Sequence, residues 1–154
     1  MPALGVRLTL RIKAPHLAVR SLFVEATPQG ATLCCKHLEK GFEMADLQAA
    51  AKRVARFREV MAQRGYDAVV LRHNPDLRWL TDAERVFDFE QAHTAFITQD
   101  GLFMHTDSRY YNTFLERLGA DSPWKFDQEV ATPTEWVAAH IAEARARVVA
   151  IEDT

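Results

Sequence analysis

Residues 93–106 place the strictest limit on what this chain can fold into. His93-Thr-Ala-Phe-Ile-Thr98 and Leu102-Phe-Met-His-Thr106 are short and rich in apolar residues, with only Gln99, Asp100 and Gly101 between them. So short a link, carrying an Asp-Gly pair, lets the two segments pair only as an antiparallel hairpin. Two further apolar runs, Asp67-Ala-Val-Val-Leu-Arg72 and Val148-Val-Ala-Ile151, are each preceded by a helical pattern. Strands linked through helices can lie parallel, so the sheet is expected to be mixed. The fold class that follows is α/β, a three-layer domain with helices flanking a mixed β-sheet.

The helices are marked by spacing and by their ends. Leu47, Ala50, Ala51, Val54, Phe57, Val60 and Met61 recur at helical intervals, and Gly65 stands where a closing glycine belongs. Pro75 opens a short helix running through Leu80. Asp107 is expected to cap a helix whose inward stripe is Tyr110, Tyr111, Phe114, Leu115 and Leu118, closed by Gly119. A strand is expected near residues 125–129. Thr132-Pro-Thr-Glu135 has the form of a capping box, opening a helix with Trp136, Val137, Ile141 and Ala144 on one face.

Residues 1–43 differ in character. They carry six Lys/Arg and three Glu, a local net of +3, whereas residues 44–154 carry a net of −5. One alternating stretch, at residues 6–13, has the pattern of a short strand. This leader reads as an added strand and loop, as a targeting segment, or as upstream sequence ahead of a start at Met44. The last is favoured, because Glu39-Lys40-Gly41 demands purine-rich codons where a bacterial ribosome-binding site would lie. The domain proper is then residues 44–154.

Composition excludes several classes of function. The 154 residues are 48% hydrophobic, with a formal net charge of −2, which gives no electrostatic reason to expect nucleic acid or an anionic membrane as partner. No apolar run approaches the roughly 20 residues of a membrane span. The only cysteines, Cys34 and Cys35, are neighbours, which fits a reducing, cytoplasmic setting.

Six histidines invite a metal hypothesis. With the hairpin turning at Asp100-Gly101, Gln99 faces Leu102, Phe96 faces His105 and His93 faces Ser108. His93 and His105 then point to opposite faces and cannot share an ion. No familiar metal-ligand spacing occurs, and no nucleophile elbow or glycine-rich phosphate loop. Asp107-Ser-Arg109-Tyr110-Tyr111 reads first as a cap, a core-facing aromatic pair and an arginine tying down a loop. Residues 82–92, with Phe87 and Phe89 among Asp82, Glu84, Arg85, Asp88 and Glu90, form a long connection. Such loops often carry function, and composition alone fits a solvated loop equally well.

Four successive motifs carry a family resemblance. Arg53-Val-Ala-Arg-Phe-Arg-Glu-Val-Met-Ala followed by Gly65-Tyr-Asp-Ala-Val-Val-Leu71 resembles the opening of the N-terminal domain of creatinase, prolidase and aminopeptidase P enzymes, the Xaa-Pro peptidase family. Asn74-Pro-Asp-Leu-Arg-Trp-Leu-Thr81 is similar to that family's N-x-x-Y-L-[TS]-G. Ala95-Phe-Ile-Thr with Asp100-Gly101 follows, and Thr106-Asp-Ser-Arg-Tyr-Tyr111 is similar to L-x-T-D-x-R-Y. The resemblance covers essentially everything after the leader.

The resemblance implies an α/β domain with a mixed sheet and a ribonuclease H-like motif. In such proteins a larger catalytic domain follows, where two Asp, one His and two Glu hold two divalent metals (Mn, Co or Zn) and a metal-activated hydroxide attacks the scissile carbonyl. None of those ligands is assignable here, so this chain is expected to hold no cofactor and no catalytic residue. The implied partners are the chain's own catalytic domain and a second subunit in a homodimer. The substrate of the whole enzyme is a peptide or small amide.

By position the substrate-access loop is residues 82–92, with Trp79, Asp82, Phe89 and Gln91 as its candidate residues. Asn74, Asp107, Arg109 and Tyr110 are the candidate structural motif. Asp82 stands where the family commonly has Gly, Ala83 where it often has an aromatic, and Trp79 where Tyr is usual, which changes the loop's local geometry. The function implied is a non-catalytic domain serving dimerisation and substrate access. The alternative is a free-standing interaction module that has lost its catalytic half.

Overall fold

The computed structural model describes residues 11–12, 45–83, 86–87, 90–127 and 131–152. Helix α1 (Leu47–Arg64) starts where Asp46 accepts hydrogen bonds from the main-chain N–H groups of Gln48 and Ala49, both at 3.0 Å. It ends at Gly65, whose φ of 69° is the left-handed conformation that glycine adopts without a Cβ penalty. Ala50, Val54, Phe57 and Met61 form its buried stripe, as the spacing predicts.

The chain then enters β2 (Ala68–Leu71), all four of whose residues are buried, and passes into α2 (Asn74–Thr81). The hairpin is β3 (His93–Thr98) and β4 (Leu102–Thr106). A crossover through α3 (Ser108–Leu118) leads to β5 (Lys125–Asp127), and α4 (Pro133–Glu143) leads to β6 (Val149–Glu152). Of the leader, only β1 (Arg11–Ile12) is described, and it pairs parallel with Ile151 and Glu152. The other expectations placed on residues 1–43 lie outside the described residues.

The strand order is β1-β6-β2-β3-β4-β5. The β2–β3 and β3–β4 pairs are antiparallel, and the β1–β6, β2–β6 and β4–β5 pairs are parallel, so the sheet is mixed. Alternation along each strand divides the core into two. Val69, Leu71, Ala95, Ile97, Met104 and Ala150 face α1, α2 and α3; Ala68, Val70, Phe96 and Val149 face Trp136 of α4. The result is the expected three-layer α/β fold, with three helices on one face and one on the other.

Three local expectations are corrected. Phe96 faces Phe103, and His93 faces Thr106, a register two residues from the one expected. Thr98 causes the difference: its hydroxyl accepts from the main-chain N–H of Gly101 at 2.8 Å, and its own N–H donates to the Gly101 carbonyl at 3.0 Å. The two-residue turn is therefore Gln99-Asp100. Gly101 is needed for another reason, since a Cβ there would overlap the Phe103 ring. A two-residue shift keeps the side-chain parity, so His93 and His105 still lie on opposite faces.

The second correction concerns α3. Leu115, placed in the inward stripe, is 43% exposed, while Arg117 is buried. The inward line runs through Tyr110, Phe114 and Leu118, and Leu115 lies about 100° around the helix from Phe114. Ala144 likewise ends α4 on its exposed side, and His140 takes the buried place beside Trp136.

Phe114 is fully buried, edge-on to Phe87 with ring centroids 5.1 Å apart and 5.2 Å from Phe126. Phe114→Ala should therefore cost about 3–5 kcal/mol, read as a lower urea midpoint with an unchanged m value.

Candidate functional site

The candidate residues fall into two groups around α2. The first forms at its C-terminus. Asp82 closes α2 in the left-handed conformation, φ 58° and ψ 15°, where the family's glycine would sit. Its carboxylate turns back toward α1: Oδ2 accepts from the Asp46 N–H at 2.9 Å, and Oδ1 accepts from Arg53 Nη1 at 2.7 Å. The same Nη1 donates to the Trp79 carbonyl at 2.8 Å, and the Arg53 guanidinium lies 5.6 Å from the centroid of the Trp79 ring. Trp79 and Asp82 thus form a clamp between α1 and α2. An aspartate at positive φ carries some strain, and the clamp offsets it while setting the direction in which the next loop departs.

The second group sits at the far end of that loop. Asn74 at the start of α2 is buried, and its Nδ2 donates to the Glu90 carbonyl at 2.9 Å. Arg78, one turn further along α2, donates to the Phe87 carbonyl. From α3, Arg109 Nη2 donates to Glu90 Oε2 at 3.0 Å, and the Tyr110 hydroxyl donates to the same oxygen at 3.2 Å. Asp107 caps α3 by accepting from the Arg109 N–H at 2.9 Å, and it also receives Arg109 Nε at 3.1 Å. Hydrogen bonds from Arg109 hold the Asp107 carboxyl below the usual carboxylate range, and Asp107 in turn raises the Arg109 guanidinium.

Asn74, Asp107, Arg109 and Tyr110 therefore come together through Glu90, which the sequence marks only as one acid among several. Gln91 is exposed beside it, and Phe89 lies outside the described residues. The connection is also less solvated than its composition suggests, because Ala83, Val86 and Phe87 belong to the core. His93 forms the floor below, buried against Phe87, Tyr110 and Phe114, with Nδ1 2.8 Å from the Thr106 hydroxyl.

The chemistry available is that of holding and presenting a loop. Three acid and imidazole groups do converge elsewhere: His73, Asp76 and Glu152 bring one ligand atom each within 4.8 Å of one another. No spacing rule finds that cluster, because Glu152 arrives from β6 at the other end of the domain.

Two predictions follow from this geometry. At position 82, Asn keeps tolerance of positive φ and one acceptor, Gly keeps only the backbone freedom, and Ala keeps neither. Unfolding midpoints should fall in the order Asp82→Asn, Asp82→Gly, Asp82→Ala, the last costing about 2 kcal/mol or more. Arg109→Ala removes an exposed pair, so the midpoint should barely move. Hydrogen exchange at Glu90 and Gln91 should nonetheless quicken, since the loop loses one of the two side chains of α3 that hold Glu90.

The profile of the family described as Creatinase/Prolidase N-terminal domain matches residues 53–154. Among solved structures, the chain is similar to aminopeptidase P, the Xaa-Pro aminopeptidase of Streptococcus thermophilus, at 20% identity and a TM-score of 0.56, over 67% of this chain and 73% of that one. It is similar to the Xaa-Pro dipeptidase of Bacillus anthracis at 17% identity and a TM-score of 0.56, over 67% of this chain and 27% of that one. A third likeness is to the N-terminal domain of the cytoplasmic peptidase PepQ of Mycobacterium tuberculosis, at 17% identity and a TM-score of 0.52, over 66% and 72% of the two chains. No curated protein matches the chain. At these identities the structural likeness is one of fold, and the family rests on the profile. With that match running from mid-α1 through the last strand, the chain belongs to the Creatinase/Prolidase N-terminal domain family.

Proposed function

We propose that this chain serves as the non-catalytic N-terminal domain of a metal-dependent Xaa-Pro peptidase-like hydrolase. In this reading it mediates homodimer formation and shapes access of a peptide or small amide to a catalytic domain outside these residues. That domain would supply the two divalent metals and the hydrolytic chemistry. The observation that carries the reading is the tethering of one loop from three sides. Asp82 fixes its departure, Asn74 and Arg78 hold its main chain, and Arg109 and Tyr110 hold Glu90. A loop anchored so fully is suited to presenting Phe89, which lies between the anchors in sequence, and Gln91, which directly follows the last of them, to a neighbouring surface.

A cytoplasmic location suits the same reading, and among the described residues no helix is long and apolar enough to cross a membrane.

The reading is tested with the chain and with its genetic continuation. The purified 154-residue chain should show no turnover of Xaa-Pro peptides with added Mn²⁺ or Co²⁺, and should run as a dimer by light scattering. The reading frame after Thr154 should encode the Asp, Asp, His, Glu, Glu ligand series. In that longer protein, Phe89→Ala with Gln91→Ala should alter KM more than kcat. Turnover by the short chain, or kinetics untouched by the double substitution, would overturn the assignment.

A further inference from the structure

Capping accounts for only part of what gathers where β2 gives way to α2. Glu152, the last residue of β6, accepts hydrogen bonds at Oε2 from the main-chain N–H groups of Arg72 and His73, each at 2.8 Å. His73 precedes α2, and its own side chain makes no capping bond there. One carboxylate is enough for that task, yet two are present. Asp76, in the first turn of α2, brings its Oδ2 to 2.8 Å from His73 Nδ1. One ligand atom each from His73, Asp76 and Glu152 lies within 4.8 Å of the other two.

This convergence is partly withdrawn from water. The His73 and Asp76 side chains are 24% and 20% exposed, and Glu152 is half-buried. Two carboxylates so close and so poorly hydrated repel each other. Among the described residues, the ion pair of Asp76 with His73 is the only one that either carboxylate makes, and it carries charge only when the imidazole is protonated. A cap that needed Glu152 alone would gain nothing from Asp76 and the imidazole beside it.

We propose that His73, Asp76 and Glu152 are the protein ligands of a structural divalent transition-metal ion, with Zn²⁺ as its type, which staples the end of β6 to the β2–α2 corner. Imidazole and carboxylate are ordinary zinc ligands, and three of them leave a fourth position for water. Two carboxylates neutralise a dication, which turns their mutual repulsion into a shared attraction. Ligand atoms about 2.0–2.2 Å from a tetrahedral ion stand about 3.3–3.6 Å apart, so this cluster closes on one with side-chain shifts of about 1 Å.

The main-chain bonds help by fixing the Glu152 carboxylate, as hydrogen bonds to ligating carboxylates commonly do, while Oε1 remains for coordination. The positive end of α2 opposes a cation, but it amounts to roughly half a unit charge against two carboxylates. All three ligands belong to this chain, so binding needs no catalytic domain. Helix α2 carries Asn74 and Arg78, so an ion at its entry steadies the helix that holds the candidate loop.

The test uses the full 154-residue chain, freed of metal with EDTA and then dialysed. Mn²⁺ favours oxygen and nitrogen donors over the thiols of Cys34 and Cys35. Added below one equivalent to the wild type, it should first broaden the amide resonances of Arg72, His73, Asp76 and Glu152. Zn²⁺ is titrated by calorimetry into Cys34→Ser with Cys35→Ser, which removes the competing thiols. It should bind at one equivalent, and free Zn²⁺ at about 100 times Kd should raise the unfolding midpoint by about 5–10 °C. In that background Asp76→Asn, or Glu152→Gln, whose amide oxygen still accepts both N–H groups, should weaken zinc binding about tenfold or more. Broadening centred elsewhere would overturn the site, a readout that needs no variant to fold. So would the absence of saturable zinc binding up to about 1 mM, or an affinity untouched by both substitutions.

Discussion

The rest of the structure depends on β2 being buried on both faces while its two neighbours run in opposite senses. Parallel pairing with β6 requires a crossover, and antiparallel pairing with β3 brings the hairpin alongside. Four residues, Ala68-Val-Val-Leu71, satisfy this because every one is apolar and so fits either face. The small and β-branched residues Ala68 and Val70 leave room for Trp136 and Phe96 on one side, and Val69 and Leu71 meet α1 and α2 on the other. Burial of both faces removes each main-chain polar group from water, so the ladders on either side must be complete. A polar residue within this strand would disturb whichever half of the core its side chain faces.

From the end of β2 the chain meets its tightest local geometry. Helix α2 is only two turns long, yet its ends are held by other parts of the fold. Glu152 holds the N–H groups at its start, and Asp82 at its end is tied to α1 through Arg53 and Asp46. A helix this short has little stability of its own. Its position is therefore set by tertiary contacts, and the loop that follows inherits that position. Asp82 illustrates why the family's glycine is not obligatory: an aspartate tolerates positive φ better than most residues, and its carboxylate adds bonds that glycine lacks.

Much of this was legible in the sequence because the signals were local. The spacing from Leu47 to Met61, the glycine at position 65 and the Thr132-Pro-Thr-Glu135 box each declare their structure within a few residues. The hairpin register was not legible, because Asp100-Gly101 has the composition of a two-residue turn while the Thr98 hydroxyl moves the turn back by one residue. The burial of Val86 and Phe87 was hidden by the acids around them. Arg109 as a loop tether was readable in kind, but its partner Glu90 was not distinguishable from neighbouring acids. The clamp of Asp46, Arg53 and Asp82, and the meeting of Glu152 with His73 and Asp76, join residues that only the completed sheet and helices bring together.

The two cores and the candidate site differ in what holds them. The cores are closed by rings and branched aliphatic side chains, including Phe87, Phe96, Phe114 and Trp136, all 2% exposed or less. The loop between α2 and β3 is instead anchored at Glu90 by hydrogen bonds and ion pairs, several of them solvent-exposed. Apolar burial is little affected by moderate salt, whereas exposed charge pairs are screened by it. The domain thus combines a frame that resists ordinary changes of solution with a loop whose tethers respond to them. Phe87 sits at the junction: its ring is part of the core, and its carbonyl is held by Arg78. Its burial fixes the loop at that residue, and further along Gln91 and the ion pair of Glu90 with Arg109 meet solvent.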